Sequence, residues 1–212
     1  MDINEIRLYH MTHIDNLAGI IDEGGIWSDN DVAKHAPDRV RIGYSSLKEK
    51  RRKKPVGPIR PGAFIGDYVP FYFAPRSPML FAIYKGGVAG YDQGQQPVIY
   101  LVSRIDKTTT NCDDWCFTDR HAVVKFAQMY EDVSYLEKVD WDVMNARMWK
   151  DTEEIPDKQE RRQAEFLVRN KLPWKAIIGI AVFNKKYKNQ VEDILANSEH
   201  KPSVKIVRGW YF

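Results

Sequence analysis

The sequence predicts an α+β fold. Strand-like segments outnumber helical ones, the helices fall singly with no regular strand and helix alternation, and two apolar runs have the make-up of strands covered on both faces. Taken in order, residues 6–10 read as a short strand. Asp15 then opens a helix whose Leu17, Ile20 and Ile21 share a face, and Gly24 and Gly25 stop it. Residues 70–74 are aromatic and strand-like, Pro75 to Pro78 make a turn, and residues 79–84 form a helix ended by Gly86 and Gly87. Residues 98–102 (Val-Ile-Tyr-Leu-Val) and 177–183 are the two continuous apolar strands. Between them, Asp119 is expected to open a helix through Val124, Phe126 and Ala127, and residues 130–159 carry no regular period. Residues 160–171 are ambiguous: Arg161, Arg162 and Gln163 favour helix, whereas Phe166, Leu167 and Val168 suit a strand. A surface helix over 187–197 and a strand over 204–207 complete the pattern.

A length of 212 residues suits one domain, 1–212, with room for a proper core. Hydrophobic residues at 43% and charged residues at 29% argue against disorder and against fibrous classes. No apolar run approaches the ~18 residues of a membrane span, and Met1 to Glu5 is acidic where a signal segment is basic. The expectation is a cytoplasmic protein with no membrane partner. Cys112 and Cys116 have no second pair to complete a zinc set, so free thiols and no metal site are expected.

The net charge is only +3, but its distribution is uneven. Lys48, Lys50, Arg51, Arg52, Lys53, Lys54 and Arg60 crowd one segment, with Arg39 and Arg41 just upstream. Such a cluster is either a solvated lysine-rich loop or a grip on phosphates, of a nucleic-acid backbone or of a dinucleotide. Pro55, Gly57, Pro58, Pro61 and Gly62 follow at once, which reads as a long irregular excursion of the kind that carries function.

Several catalytic classes are excluded: there is no phosphate-binding glycine loop, no dinucleotide fingerprint, no His-Glu-x-x-His and no Gly-x-Ser-x-Gly. What remains are two apolar stretches interrupted by polar residues that an interior tolerates only with partners: Leu8-Tyr9-His10-Met11-Thr12-His13, and Arg161-Arg162-Gln163-Ala164-Glu165-Phe166-Leu167-Val168. His10 at a strand end is either a satisfied core residue or a ligand contact. Glu165 ahead of Phe-Leu-Val is either an edge carboxylate or a catalytic one.

Four blocks resemble the DarT family, DNA ADP-ribosyltransferase toxins distantly similar to the poly(ADP-ribose) polymerases. They are residues 8–17 with Ile20, residues 47–52 with Pro55 and Val56, residues 67–80 (Asp-Tyr-Val-Pro-Phe-Tyr-Phe-Ala-Pro-Arg-Ser-Pro-Met-Leu), and residues 163–168. The resemblance implies an ADP-ribosyltransferase fold, a split β-sheet with flanking helices around a cleft that binds NAD. It implies that His10 hydrogen-bonds the nicotinamide ribose, that Met11 and Thr12 hold the carboxamide, and that Gly19, Ile20, Trp27 and Ser28 flank the pocket. Glu165 matches the family's catalytic glutamate. A fixed carboxylate beside the sugar is also what the chemistry asks for, because losing nicotinamide builds an oxocarbenium-like cation. Arg51 matches the arginine near the acceptor base and the cofactor, with Arg52 as the alternative register.

By the same resemblance, residues 38–60 form a basic loop for NAD and DNA, and residues 116–162 the loop that selects substrate. The acceptor is single-stranded DNA modified on thymidine, with Arg76, Lys85, Arg120 and His121 as cationic contacts and Trp115, Tyr130, Trp141 and Trp149 as aromatic ones. One departure concerns nicotinamide: where the polymerases place a stacking tyrosine, this chain has Met79, Leu80 and Phe81, with Tyr84 further along. A macrodomain antitoxin is the implied partner. Two other readings compete: the same fold acting on guanosine, RNA or protein, and a silent nucleic-acid-binding module.

Overall fold

The computed structural model describes residues 2–35 and 38–212, which build two sheets. In chain order the elements are β1 (Arg7–His13), α1 (Leu17–Asp22), β2 (Gly25–Trp27), α2 (Asp29–His35), α3 (Ser45–Lys53), β3 (Tyr68–Tyr72), α4 (Pro78–Tyr84), β4 (Val98–Arg104) and α5 (Ile105–Asn111). There follow β5 (Trp115–Thr118), β6 (Met129–Tyr130), α6 (Trp141–Asn145), α7 (Lys158–Arg161), β7 (Glu165–Arg169), β8 (Lys171–Pro173), β9 (Gly179–Val182), α8 (Lys185–Leu195) and β10 (Ser203–Ile206). Eight strands form one sheet in the order β10, β9, β4, β1, β3, β7, β5, β6, and β2 pairs with β8 in the second.

The main sheet is buried on both faces, as the apolar runs predict. Ile99 and Leu101 of β4 enter one core with Leu8, Phe71 and Phe166, while Val98, Tyr100 and Val102 enter the other with Leu80, Ile83 and Tyr211. The alternation follows from the two-residue period of a strand.

The sheet is split in its middle. β1 pairs with β4 along all its residues from Arg7 to His13, but meets β3 at one bridge, Tyr9 with Tyr72. Ile14 N–H donates to Pro97 and Ile105 N–H donates to Ile6, so the even-numbered residues of this segment turn their main chain to β4 and the odd ones to β3. Continuing the register past Tyr9 sets Met11 opposite Pro70, which has no N–H to give. The Pro70 carbonyl instead lies 2.9 Å from His10 Nδ1. Met11 therefore presents main-chain groups to a place where strand pairing has stopped.

Four readings change or are resolved. The basic segment is helix over Ser45–Lys53, not loop throughout 38–60: Leu47, Lys48, Glu49 and Lys50 are good helix formers, and the helix ends just before Pro55. Residues 119–127 form isolated turns rather than a helix, with Phe126 left exposed and so no apolar face to dock. The ambiguous stretch divides, α7 ending at Arg161 and β7 beginning at Glu165. Residues 116–162 likewise hold short regular pieces, β6, α6 and α7, within the longer connection.

Candidate active site

Glu165 is the first residue of β7, opposite Tyr72 and almost fully buried. Its main-chain N–H donates to Thr118 Oγ1 at 3.1 Å, which fixes the strand's entry. The carboxylate accepts from Arg51 Nη1 at 2.6 Å and from the Ala122 N–H at 3.3 Å. Arg51 reaches it from α3, which closely approaches the turn Ile65–Asp67: a Cβ at Gly66 would lie 2.9 Å from Arg52 Cα. Only glycine permits that approach. It is Arg51, not Arg52, that faces Glu165; Arg52 is exposed and donates to the Asp29 carbonyl.

Asp29, which sequence reasoning missed, joins the halves of the cluster. It accepts from Lys48 at 2.9 Å and sits 3.7 Å from Arg51 Nε. Burial opposes charge on Arg51, but Glu165 and Asp29 outweigh it and raise the guanidinium's pKa. Arg51 stays a cation. Its Nε and Nη2 are nevertheless buried without a hydrogen-bond partner, an unusual condition for a guanidinium.

His10 shares this site, where it is held neutral: burial pulls its pKa down to about 4 against a smaller opposing effect of the Pro70 carbonyl. A carbonyl only accepts, so Nδ1 carries the proton toward Pro70 and Nε2 keeps a free lone pair. His121 is neutral as well, its pKa lowered by burial despite Glu165. Its Nδ1 accepts from Val123 N–H, so the 3.6 Å approach to Glu165 is not a charged pair. Tyr72 is raised by burial and then by Glu165, and remains a phenol.

The other expected residues make the following contacts. Met11 accepts a weak bond from Ser77 and Thr12 one from Asn16, which in turn anchors Val40. Gly19 lies exposed on α1, with open space where a Cβ would be. Ser28 is fully buried, its hydroxyl donating to Asp31 Oδ2 and accepting the Asp31 N–H at the start of α2. Arg76 donates to the Tyr211 carbonyl and lies over the Phe212 ring. Arg60 and Arg120 are held in ion pairs with acidic neighbours, which removes them as free phosphate contacts. Trp27 stacks on His35 at 4.0 Å, and Trp115 on Phe166 at 5.2 Å.

Arg162 lies in the second stretch that the sequence singles out, but no role was expected of it. Nearly buried, it donates from Nη1 to the carbonyls of Val143, Met144 and Ala146, and from Nη2 to that of Pro75. One guanidinium thus ties α6 to the turn after β3, three residues before Glu165. With no carboxylate beside it, burial lowers its pKa to about 10.

A split sheet with a neutral histidine at the opening and a buried carboxylate steadied by arginine belongs to the NAD-dependent ADP-ribosyltransferases, whose reaction needs a fixed negative charge beside the sugar. Comparison with known proteins narrows the class. A family model described as "ssDNA thymidine ADP-ribosyltransferase, DarT" matches residues 9–212. A DNA ADP-ribosyl transferase of Thermus sp. (strain 2.9) is 39% identical over 207 residues, covering 97% of this chain and 95% of the relative. The chain belongs to the DarT family. Among solved structures, Thermus sp. 2.9 DarT in complex with ADP-ribosylated ssDNA superposes with a TM-score of 0.90 at 37% identity, covering 99% of this chain and 97% of that one. The same protein in complex with NAD+ gives 0.82 at 36% identity, covering 98% of each. A Thermosipho africanus protein named a DNA ADP-ribosyl transferase and DNA ADP-ribosyl glycohydrolase fusion is 27% identical over 124 residues, 58% of this chain and 29% of the relative. Among the described residues no cluster of histidine, cysteine, aspartate or glutamate is able to hold a metal, and no helix is long and apolar enough to cross a membrane.

Proposed function

We propose that this protein transfers ADP-ribose from NAD to thymidine bases in single-stranded DNA, releasing nicotinamide, and that it acts as the toxin of a toxin–antitoxin pair. The observation that carries the reading is the buried Arg51–Glu165 pair with two guanidinium nitrogens left unpartnered. A folded interior seldom leaves such groups unmade, and a ligand with acceptor oxygens would complete them.

NAD enters at the split. Met11 offers main-chain groups of the kind a carboxamide pairs with, His10 Nε2 is free to accept from a ribose hydroxyl, and the open space beside Gly19 admits the rest of the dinucleotide. As the bond from ribose to nicotinamide breaks, positive charge grows on the sugar, and Glu165 stabilises it from a site that water does not screen. The ring N–H of thymine gives up its proton to solvent as the nitrogen bonds to the sugar carbon, so negative charge develops on the base. Arg51, held cationic by its two carboxylates, stabilises the base anion rather than taking the proton. His121, beside Glu165, is the group we assign to the acceptor, and residues 116–162 the segment that selects it.

The fusion of transferase and glycohydrolase in the Thermosipho relative supports a macrodomain antitoxin as partner, one that removes what the toxin adds, in the cytoplasm on replicating DNA. The test is mass spectrometry of single-stranded oligonucleotides with and without thymidine, incubated with NAD and either wild type or Glu165→Ala. One ADP-ribose gained only on the thymidine oligonucleotide, and lost in the variant, is expected. Nicotinamide release with no adduct on either oligonucleotide would overturn the acceptor.

A further inference from the structure

Beside the turn that follows β3 lies an open cavity of about 430 Å³ lined by Arg76, Arg147, Arg208, Gly209, Tyr211 and Phe212. Three guanidinium groups share it, and among the described residues none has a carboxylate within ion-pair distance. Burial and then Arg147 lower the pKa of Arg76, which bonds the Tyr211 carbonyl, and Arg208 lies over the Phe183 ring at 3.5 Å. The backbone holds the arrangement at some cost: Arg76 has φ +56°, a left-handed conformation uncommon for a side-chain-bearing residue, with its N–H bonded to Tyr100 Oη at 3.2 Å. Its guanidinium lies over the Phe212 ring at 4.1 Å, and its Nε is buried without a partner.

The cavity continues into an aromatic surface. Phe212 stacks on Tyr84 with centroids 5.8 Å apart and touches Phe81 at 5.1 Å; Phe81 and Tyr84, both on α4, are 38% and 47% exposed. Lys85 Nζ sits over both of these rings, at 5.6 and 5.2 Å. Exposed rings interleaved with unpaired cations are what a single strand needs, because every base has a face to stack and every linkage a charge. The surface also adjoins the catalytic cleft: Arg76 follows Tyr72, the partner of Glu165, by four residues, no more than about 14 Å of chain.

We propose that this groove holds the single-stranded DNA flanking the reacting base, Phe81 and Tyr84 stacking a base beyond its immediate neighbours while Arg147 and Arg208 take backbone phosphates that lie further along the strand. The proposal rests on the reading of the acceptor as single-stranded DNA, but not on thymidine. Its occupant is a nucleic-acid strand running out of the cleft, so contacts grow with length.

The experiment is fluorescence polarisation of a labelled thymidine-centred trinucleotide and a 12-mer, without NAD, across a salt series. The proteins are wild type, Arg147→Glu/Arg208→Glu and Phe81→Ala/Tyr84→Ala. The charge variant is expected to bind the 12-mer at least tenfold more weakly, with the slope of log affinity against log salt reduced by about 1.4, two phosphates at about 0.7 each for a single strand. The aromatic variant is expected to lose about tenfold with the slope unchanged. Both should leave trinucleotide binding and the rise in Tm produced by NAD as in wild type, which certifies the fold and the cleft. Variants that keep the NAD shift and bind the 12-mer with wild-type affinity and slope would overturn the proposal. Should wild type bind the 12-mer and the variants not, with no thymidine modified by any of them, the groove stands and the thymidine reading falls.

Discussion

Replacing Glu165 with glutamine keeps the side chain's size and removes its charge, and the structure sets how much that should matter. The carboxylate is buried, with 3% of its side chain exposed, so its field at a sugar cation about 4 Å away is worth about 4 kcal/mol at an effective dielectric constant near 20. The amide keeps a dipole and recovers part of this, so the expected loss is about 3 to 4 kcal/mol, or 10²- to 10³-fold in rate. Folding should suffer less. Arg51 loses a partner at 2.6 Å but keeps Asp29 at 3.7 Å, so the cost should fall below the ~3–5 kcal/mol of a fully orphaned buried ion. About 2 kcal/mol corresponds to a fall in Tm of about 4–8 °C for a chain of this size. The assay is single-turnover transfer to a thymidine oligonucleotide at saturating NAD, followed by mass spectrometry, with Tm measured on the same samples. A variant that transfers within tenfold of wild type would refute the electrostatic role and leave Glu165 as a structural partner of Arg51.

Two further outcomes follow from the buried groups. Folded His10 has a pKa near 4 against about 6.5 when unfolded, so between those values the unfolded chain binds the proton and the folded one does not; stability should fall as pH drops from 6.5 toward 4, by at most about 3 kcal/mol from this residue, with His121 adding in the same direction. Urea midpoints measured from pH 7.5 to 4.5 should give a visibly flatter curve for His10→Gln, and parallel curves would contradict the assignment. Arg162→Met leaves four carbonyls without their donor and should lower stability by about 2–4 kcal/mol, with faster proteolytic nicking between residues 139 and 161; wild-type Tm and digestion would show that α6 is held by other means.

How legible this was in the sequence varies with how local the cause is. β4 and β9 could be read from unbroken apolar runs, whereas Glu165 ahead of Phe166, Leu167 and Val168 read equally as an edge or a catalytic carboxylate until the family resemblance assigned it. α3 could not be read: its one buried residue is Arg51, and what holds that side chain is Glu165, 114 residues away. The chain around Arg51 shows only charge, which looks the same in a loop. Ser28 was expected at the cofactor from the resemblance alone, and no local pattern showed that its hydroxyl accepts the Asp31 N–H at the start of α2. Arg162 stood in the singled-out stretch, but its role was illegible because main-chain carbonyls are its partners, and every residue type supplies those. Asp29 was missed for a related reason, since its role depends on Lys48 and Arg51 arriving from another helix.

The single bridge between β1 and β3 bears on more than the cleft. A strand with unmade main-chain bonds is a template for another strand, and proteins normally guard such edges at the rim of a sheet with charge, proline or a covering loop. Here the exposed edge lies in the centre of the molecule, and it is guarded by Pro70, which has no donor to offer, and by the His10 ring, which takes up the one acceptor Pro70 has. A stray segment seeking to add itself to β3 meets no ladder to join. The residues that keep the sheet from closing on itself also keep it from being closed by a neighbour, so solubility and an open site come from one substitution of chemistry rather than two.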